Sequence, residues 1–381
     1  IIGYTTRKNN SVEVALDGLK NLEYRGYDSA GIAFFDGEKI DIVKSKGKIS
    51  NLESKLEKLN TDSCCAIAHT RWATHGEPNE TNAHPHHVGK VTLVHNGIIE
   101  NYSELKKELI EKGYSFKTET DTEVATAYID YCYSVYQDKL RALIEACKVF
   151  RGSYAFDVIY EDDPTTIYAT RKDSPLVVGY AHDGNFAASD ISAILKYTNK
   201  YSLIDEGEFV KITRDIVTFY NSDLHQVEKK SQTATWDAAQ YQKNGYEHFM
   251  LKEIYEQPKA IEDIFERFYS NCTYKDLDFS KFDKIHIVAC GSAMHASLVG
   301  KYLLQTYGKI PVMVEIASEY RYSEELITPS TLLIVVSQSG ETADTLAALR
   351  LAKQKGAYVV GIVNAVGSTI AREVDKCIYT Y

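Results

Sequence analysis

The sequence predicts two folds in succession: a mixed α+β region whose strands form antiparallel sheets, then an α/β domain doubly wound around a parallel sheet. Three observations predict this. At 381 residues the chain is too long for one ordinary domain and suits two. Four short apolar runs, Ser153 to Tyr160, Thr166 to Thr170, Leu176 to Tyr180 and Asn185 to Ser189, follow one another with no helix between them, as antiparallel strands do. From Asp283 continuous apolar runs alternate instead with amphipathic segments, the rhythm of strands that helices cover on both faces.

In chain order, Ser11 to Tyr24 has helical periodicity, with Val14, Leu16, Leu19 and Leu22 as core candidates. Ser29 to Phe35 and Lys39 to Val43 read as a hairpin across Asp36-Gly37. Cys64 to His69 and Val91 to His95 are short apolar strands ending in polar, Gly-containing loops. Glu104 to Lys112 and Asp121 to Tyr136 read as helices, followed by the four clustered strands. Periodicity loosens after Tyr220, so residues 1–222 are expected to form the first domain, 223–246 a linker and 247–381 the second. Leu251 to Phe268 reads as a helix pair, with Pro258 starting the second member. Strands then follow at Ile285 to Ala289, Pro311 to Ile316, Thr331 to Ser337 and Val359 to Asn364. Between them lie helices at Ala293 to Tyr307, Ser318 to Leu326 and Thr342 to Gly356.

Composition narrows the function. A chain 44% hydrophobic and 25% charged builds packed cores. Its formal net charge of −10 argues against a nucleic-acid partner, because phosphate neutralisation needs excess Lys and Arg. No apolar run is long enough to cross a bilayer, and Ile1 opens into a structured pattern rather than a signal peptide. Neither a membrane nor export is expected, and the compartment reads as cytoplasmic. Of the seven cysteines none forms a CxxC pair, so neither a disulfide framework nor a zinc ribbon is indicated. His84, His86, His87 and His95 lack a compact ligand spacing, and no metal or other cofactor is expected.

Two sets of loops carry more polar information than folding needs. Leu332 to Val336 runs into Ser337-Gln338-Ser339-Gly340-Glu341-Thr342 and then a helix. Unpaired N–H groups at such a helix start favour an anion, and Gly340 permits close approach. The segment has no Lys and no GxxxxGK spacing, which excludes a nucleotide P-loop and favours a small phosphate. The plainer reading is a Ser/Thr-rich cap serving its own helix. Cys290-Gly291-Ser292-Ala293 ends a neighbouring strand of the same sheet, bordering one crevice at the strands' carboxyl edge. In the first half, His69 to Gly76, His95-Asn96-Gly97 and Glu119 to Glu123 offer an Arg for a carboxylate, an Asp for an ammonium and an amide beside a Gly for an oxyanion. That set suits a free amino acid with a reactive side-chain amide. Singly, Asn96-Gly97 reads as a tight turn, Asp121 as a helix cap and Arg71 as a surface ion pair.

At these residues a resemblance is plain. LEYRGYDSAGIA (Leu22 to Ala33), HTRWATHG (His69 to Gly76), LVHNGIIENY (Leu93 to Tyr102) and ETDTE (Glu119 to Glu123) resemble the glutaminase domain of glutamine:fructose-6-phosphate amidotransferases. KEIYEQP (Lys252 to Pro258) and SQSGET (Ser337 to Thr342) resemble the start of that family's sugar isomerase region. The resemblance implies an N-terminal-nucleophile (Ntn) hydrolase sandwich followed by a first sugar isomerase (SIS) domain. It implies an enzyme making glucosamine-6-phosphate from L-glutamine and fructose-6-phosphate, with ammonia passed internally, and a homodimer. In that family an N-terminal cysteine attacks the amide with its own α-amino group as base.

Carried over by position, Asn96 and Gly97 form the oxyanion hole. Arg71 takes the glutamine α-carboxylate, Asp121 its α-ammonium, and Thr74, His75, Arg25 and Gly26 complete the pocket. Trp72 gates the ammonia passage, and Ser292, Ser337, Gln338, Ser339 and Thr342 bind the sugar phosphate. The family reads Gly-Thr-Ser where this chain reads Gly291-Ser292-Ala293, so no role passes to Ala293. The family begins Cys-Gly-Ile and this chain Ile1-Ile2-Gly3, which places the expected nucleophile ahead of Ile1. A second sugar isomerase domain is expected beyond Tyr381, and the chain as given is expected to be inactive in full synthesis. Cys64 and Cys65 lie in an apolar strand and read as core residues rather than substitute thiols. Two other readings stand beside the enzyme: a non-catalytic phosphosugar-binding regulator with a degenerate glutaminase domain, and a paralogue acting on another phosphosugar.

Overall fold

The computed structural model describes residues 1–23, 28–71, 76–234, 246, 248–271, 277–322 and 327–380, of which 249 and 267–271 by backbone alone. They fall into two compact units, Ile1–Asn244 and Gly245–Tyr381.

The first unit opens with β1 (Ile2–Thr6), α1 (Ser11–Leu22), β2 (Ser29–Phe35), β3 (Ile40–Lys46), α2 (Ile49–Leu56) and β4 (Cys65–Arg71). Then come β5 (His86–Val88), β6 (Val91–Ile99), α3 (Tyr102–Glu111), α4 (Asp121–Tyr136) and α5 (Lys139–Val149). Strands β7 (Gly152–Tyr160), β8 (Asp163–Lys172), β9 (Val177–Tyr180), β10 (Gly184–Ala188), β11 (Lys200–Leu203), β12 (Phe209–Ile212) and β13 (Val217–Tyr220) follow. Short β14 (Gln226–Val227) and β15 (Gln232–Thr233) close the unit, so part of the stretch read as a linker joins its sheets.

Among the described residues these strands form two antiparallel sheets, β15-β11-β9-β10-β1-β4-β2-β3 and β14-β13-β12-β8-β7-β6-β5. Alternation along the strands decides the layers. Ile1, Ala33, Cys65 and Ile67 of one sheet pack with Val94, Ala155, Ile159 and Ala169 of the other, between the sheets. The opposite face of the first sheet meets α1 and α2 through Ile2, Tyr4, Val12, Leu19 and Leu52. The outer face of the second meets α3, α4 and α5 through Leu93, Val124, Leu143 and Phe156. The result is a four-layer α/β/β/α sandwich. Asp157 lies inside it with no exposure, and neither carboxylate oxygen has a hydrogen-bond partner among the described residues. Gly3 faces it: a Cβ there would come 2.9 Å from Asp157 Oδ2. Burial pushes the Asp157 carboxyl up to about 7.

The second unit runs α6 (Phe249–Asn271), β16 (Lys284–Ala289), α7 (Gly291–Leu303), β17 (Val312–Ile316), α8 (Ala317–Tyr320) and β18 (Thr331–Ser337). It continues with α9 (Ala343–Gln354), β19 (Tyr358–Val363), α10 (Thr369–Glu373) and β20 (Lys376–Tyr379). The strands pair in parallel in the order β17-β16-β18-β19-β20. The two faces of the sheet carry separate apolar clusters, one around Leu333, Val335 and Val359 and one around Ile285, Leu332 and Ile334. Winding reverses between β16 and β18, the switch point at which such sheets bind ligands. The expected helix pair before this sheet is a single helix with Pro258 inside it. Helix α7 stops short of the expected end and passes into a π-helical turn at Leu304–Gly308. The helix expected over Ser318 to Leu326 appears as α8, with 323–326 outside the described residues.

Candidate active site

Three strand or helix ends of the first unit meet at one place. Arg71 is the last residue of β4 and is buried, 4% exposed. Its guanidinium donates to the carbonyls of Glu77 and Gly76, both at 3.3 Å. Burial lowers its affinity for its proton, and the charges of Asp28 and Asp121 restore part of it, which places Asp121 close by. Asp121 is itself 4% exposed and accepts a hydrogen bond from the Ile99 amide at 2.8 Å.

Thr120, not Asp121, caps α4, accepting from the Glu123 amide at 3.2 Å. The Asp121 carboxylate is therefore not spent on its own helix. Nor do Asn96 and Gly97 form a turn. Both lie within β6, paired to Ala155 and Tyr154 of β7. Gly97 has φ +126°, and a Cβ there would stand 2.1 Å from the Ser153 carbonyl oxygen, so the position admits only glycine.

Histidines hold this arrangement. His69 Nε2 lies 2.8 Å from Asn96 Oδ1. Burial keeps the His69 ring neutral, so its one N–H is the donor to Asn96, and the Asn96 Nδ2 hydrogens remain for a ligand. His69 stacks on His84 at 4.2 Å between ring centroids, and His84 meets His86 edge-on at 4.9 Å. Burial holds both of those rings neutral as well. His84 and His95 bond Thr122 Oγ1 at 3.3 and 3.0 Å, and His86 bonds Thr120 Oγ1 at 3.3 Å. These histidines thus fix the start of α4 and, with it, Asp121. Among the described residues no group of His, Cys, Asp or Glu is placed to hold a metal ion. Arg25, Gly26, Trp72, Thr74 and His75 lie outside the described residues.

In the second unit, Ser337 ends β18 and its Oγ accepts from the Gly340 amide at 3.0 Å while lying 3.0 Å from Thr342 Oγ1. Gly340 has φ +66°, and its carbonyl accepts from Ile370 N at 3.0 Å. The Gln338 carbonyl accepts from Asn364 N and Ala365 N at 3.3 and 3.1 Å. Thr342 stands at the N-cap of α9 without a side-chain cap bond, and Cys290 does the same for α7. Among the described residues the hydroxyls therefore bond within the loop, and neither N-cap side chain serves its own helix. Ser292 is exposed in the first turn of α7. Cys290 Sγ, 3.9 Å from Thr345 Oγ1, joins the two loops across the switch point.

Comparison with known proteins bears on both sites. Residues 69–196 match the family model of the glutamine amidotransferase domain, and residues 278–381 that of the SIS domain. The chain is 50% identical over 391 aligned positions to the glutamine--fructose-6-phosphate aminotransferase (isomerizing) of Clostridium acetobutylicum, the alignment taking in 100% of this chain. The chain is similar to this aminotransferase along its whole length and carries both matched domains. The corresponding protein of Pyrococcus horikoshii is 47% identical over 385 positions, again across 100% of the chain. The chain spans 64% of the length of these curated relatives. Among solved structures, the glutamine phosphoribosylpyrophosphate amidotransferase of B. subtilis superposes with a TM-score of 0.53 at 17% identity, covering 100% of this chain and 90% of that one. That likeness concerns the fold alone; the family models make the first unit a glutamine amidotransferase domain, here a sandwich of antiparallel sheets, and the second a SIS domain of parallel strands.

What the sequence did not yield is the row of residues behind the first unit's motifs. His69, His84 and His86 touch Asn96 or the cap of α4 rather than open space. Their signal was the alternation of His84 and His86, which puts both rings on one side of the chain.

Proposed function

We propose that this chain is the glutamine-hydrolysing unit and first sugar-phosphate-binding unit of an enzyme converting fructose-6-phosphate and L-glutamine to glucosamine-6-phosphate and glutamate. The observation that carries the reading is buried Arg71 at the end of β4 with Asp121 at the start of α4 beside it, while Asn96 within β6 is held by His69 of β4. In this reading Arg71 holds the α-carboxylate of glutamine and Asp121 its α-ammonium, with Arg25, Gly26, Thr74 and His75 completing the pocket. A cysteine two positions ahead of Ile1 attacks the side-chain amide. The register that pairs Ile2 with Ala68 supports this placement, because three steps further back along β1 it reaches Arg71.

The thiol loses its proton to the adjoining α-amino group, whose ordinary pKa of about 7.7–8.0 leaves roughly a tenth of it free base at pH 7, far more than a lysine amine would have. As sulfur bonds to carbon, the carbonyl oxygen gains negative charge and is met by Asn96 Nδ2 and the Gly97 amide. Ammonia leaves with the returned proton, and water then releases glutamate from the thioester. Ammonia in neutral water is mostly protonated and non-nucleophilic, so an internal route, gated by Trp72, keeps it reactive.

In the second unit, Ser292, Ser337, Gln338, Ser339 and Thr342, together with the uncapped starts of α7 and α9, receive the phosphate of the sugar. A homodimer belongs to the same proposal. The outer side of α7, where Leu298, Val299, Tyr302 and Leu303 are exposed, supports it as an apolar interface. The test is hexosamine phosphate formation by the full-length protein given glutamine and fructose-6-phosphate. Product that requires both substrates supports the reading, and none at all contradicts it.

A further inference from the structure

A second cavity of about 510 Å³ lies in the first unit, outside the candidate glutamine pocket. Lys44 of β3, Thr81, His86, Lys117 and Glu123 line it. Its two histidines and Glu123 are already engaged: His86 bonds Thr120, His87 bonds Thr92, and the Glu123 carboxylate accepts from the amides of Lys117 and Thr118 at 2.7–3.1 Å. Glu80, also at the wall, is paired to Lys55 at 2.6 Å. The two lysines are different. Lys44 is half-buried, and among the described residues its ammonium has one long hydrogen bond, 3.4 Å to the Thr81 carbonyl. Three donors with one poor acceptor are costly to desolvate as a cation. Lys117 has no carboxylate within ion-pair distance among the described residues.

We propose that this cavity admits a small acyl phosphate, whose phosphate is drawn by Lys117 and whose acyl group is transferred to Lys44 Nζ. The free-base nitrogen attacks the acyl carbon; the C–N bond forms and the bond from carbon to phosphate oxygen breaks. Inorganic phosphate leaves with the electron pair, and the extra proton on nitrogen passes to water. Neither His86 nor Glu123 is needed as a base, which agrees with their existing bonds. Desolvation favours the reactive form, lowering the Lys44 ammonium to about 8 against the opposing pull of Glu123, with Arg71 adding to the lowering. An amine titrating there carries on the order of a hundred times more free base at pH 7 than an ordinary lysine, and its lower basicity gives back only part of that. The product amide is neutral, so the modification also removes a cation that no carboxylate neutralises directly.

The test uses the intact protein with acetyl phosphate at pH 7.0, following acetylation of each lysine by peptide mass spectrometry. Exposed Lys58 is the internal reference. Lys44 is expected to react at least about fivefold faster than Lys58, with a rate that levels off above pH 8. Lys117→Ala is expected to slow Lys44 with acetyl phosphate but not with uncharged acetic anhydride. A Lys44 rate equal to or below that of Lys58 overturns the proposal, as does a Lys117→Ala variant unchanged towards both reagents.

Discussion

In the proposed function the two units solve the same problem, presenting polar groups to a small charged molecule, in opposite ways. In the sandwich, Arg71 and Asp121 are each 4% exposed, and Asn96 sits in mid-strand, oriented by a neutral histidine. In the parallel sheet, the residues stand in loops beyond the strand ends, with hydroxyls bonded to one another and neither helix capped by its own N-cap side chain. The first is a site made by burial, where each side chain is expensive to hold and has one position. The second is made by topology, where the switch point supplies the crevice and the backbone supplies the donors. Preorganised donors aimed at a developing charge belong to the first kind, and anion capture to the second.

This contrast predicts that damage to one site leaves the other intact. Asn96→Ala removes one donor and is expected to lower glutaminase turnover of the full-length enzyme roughly 100- to 1,000-fold. The KM for fructose-6-phosphate should stay near wild type. A comparable loss in sugar affinity would break the division of labour.

Burial in the sandwich should also show as a pH effect on stability. Asp157 has its folded carboxyl raised to about 7 by desolvation, against about 3.9 in an unfolded chain. The folded form therefore holds the proton more tightly. Stability from this residue is complete below about pH 4, declines as the pH rises, and reaches its floor above about pH 7. Asp157→Asn should flatten that decline and stabilise the protein at pH 8 by up to ~4 kcal/mol, less any relaxation around the site. Parallel denaturant titrations of both proteins at pH 5 and pH 8 measure it, and equal differences at the two pH values would refute it.

Topology in the second unit makes a narrower demand. A Cβ on Gly340 would stand 1.9 Å from Ser368 Oγ, at a φ of +66°. Gly340→Ala should displace the loop and raise the KM for fructose-6-phosphate by roughly tenfold, while leaving glutamine hydrolysis alone. The smallest effect is expected at the cap of α4. Thr120→Ala should cost about 1 kcal/mol in thermal unfolding and raise the KM for glutamine severalfold by loosening Asp121. If the KM for glutamine does not move, the cap does not position that carboxylate.

The same contrast governs what could be read from the sequence. The parallel sheet was legible because continuous apolar runs, such as Thr331–Ser337, reflect burial on both faces by neighbours in regular order. The loop proposed to take the phosphate follows from where a strand ends. In the sandwich, the ends of α4 were legible from periodicity, yet of β6 only Val91 to His95 was. Asn96-Gly97 is a strong local turn signal, and only pairing with β7 carries the strand through it to Ile99. Local propensity yielded to the sheet. Pro258 misled in the same direction, because α6 continues past a residue that removes one backbone donor. Asp157 was invisible for another reason: its apolar neighbours imply a strand covered on both faces, but nothing along the chain reveals that its carboxylate finds no partner there among the described residues.

The most direct measurement is a crystal structure of this chain with L-glutamate, the product of the proposed hydrolysis. Its α-carboxylate should lie on Arg71, its α-ammonium on Asp121, and a side-chain oxygen within hydrogen-bond distance of Asn96 Nδ2 and the Gly97 amide. Glutamate bound elsewhere, or bound here with its two ends reversed, would contradict the account.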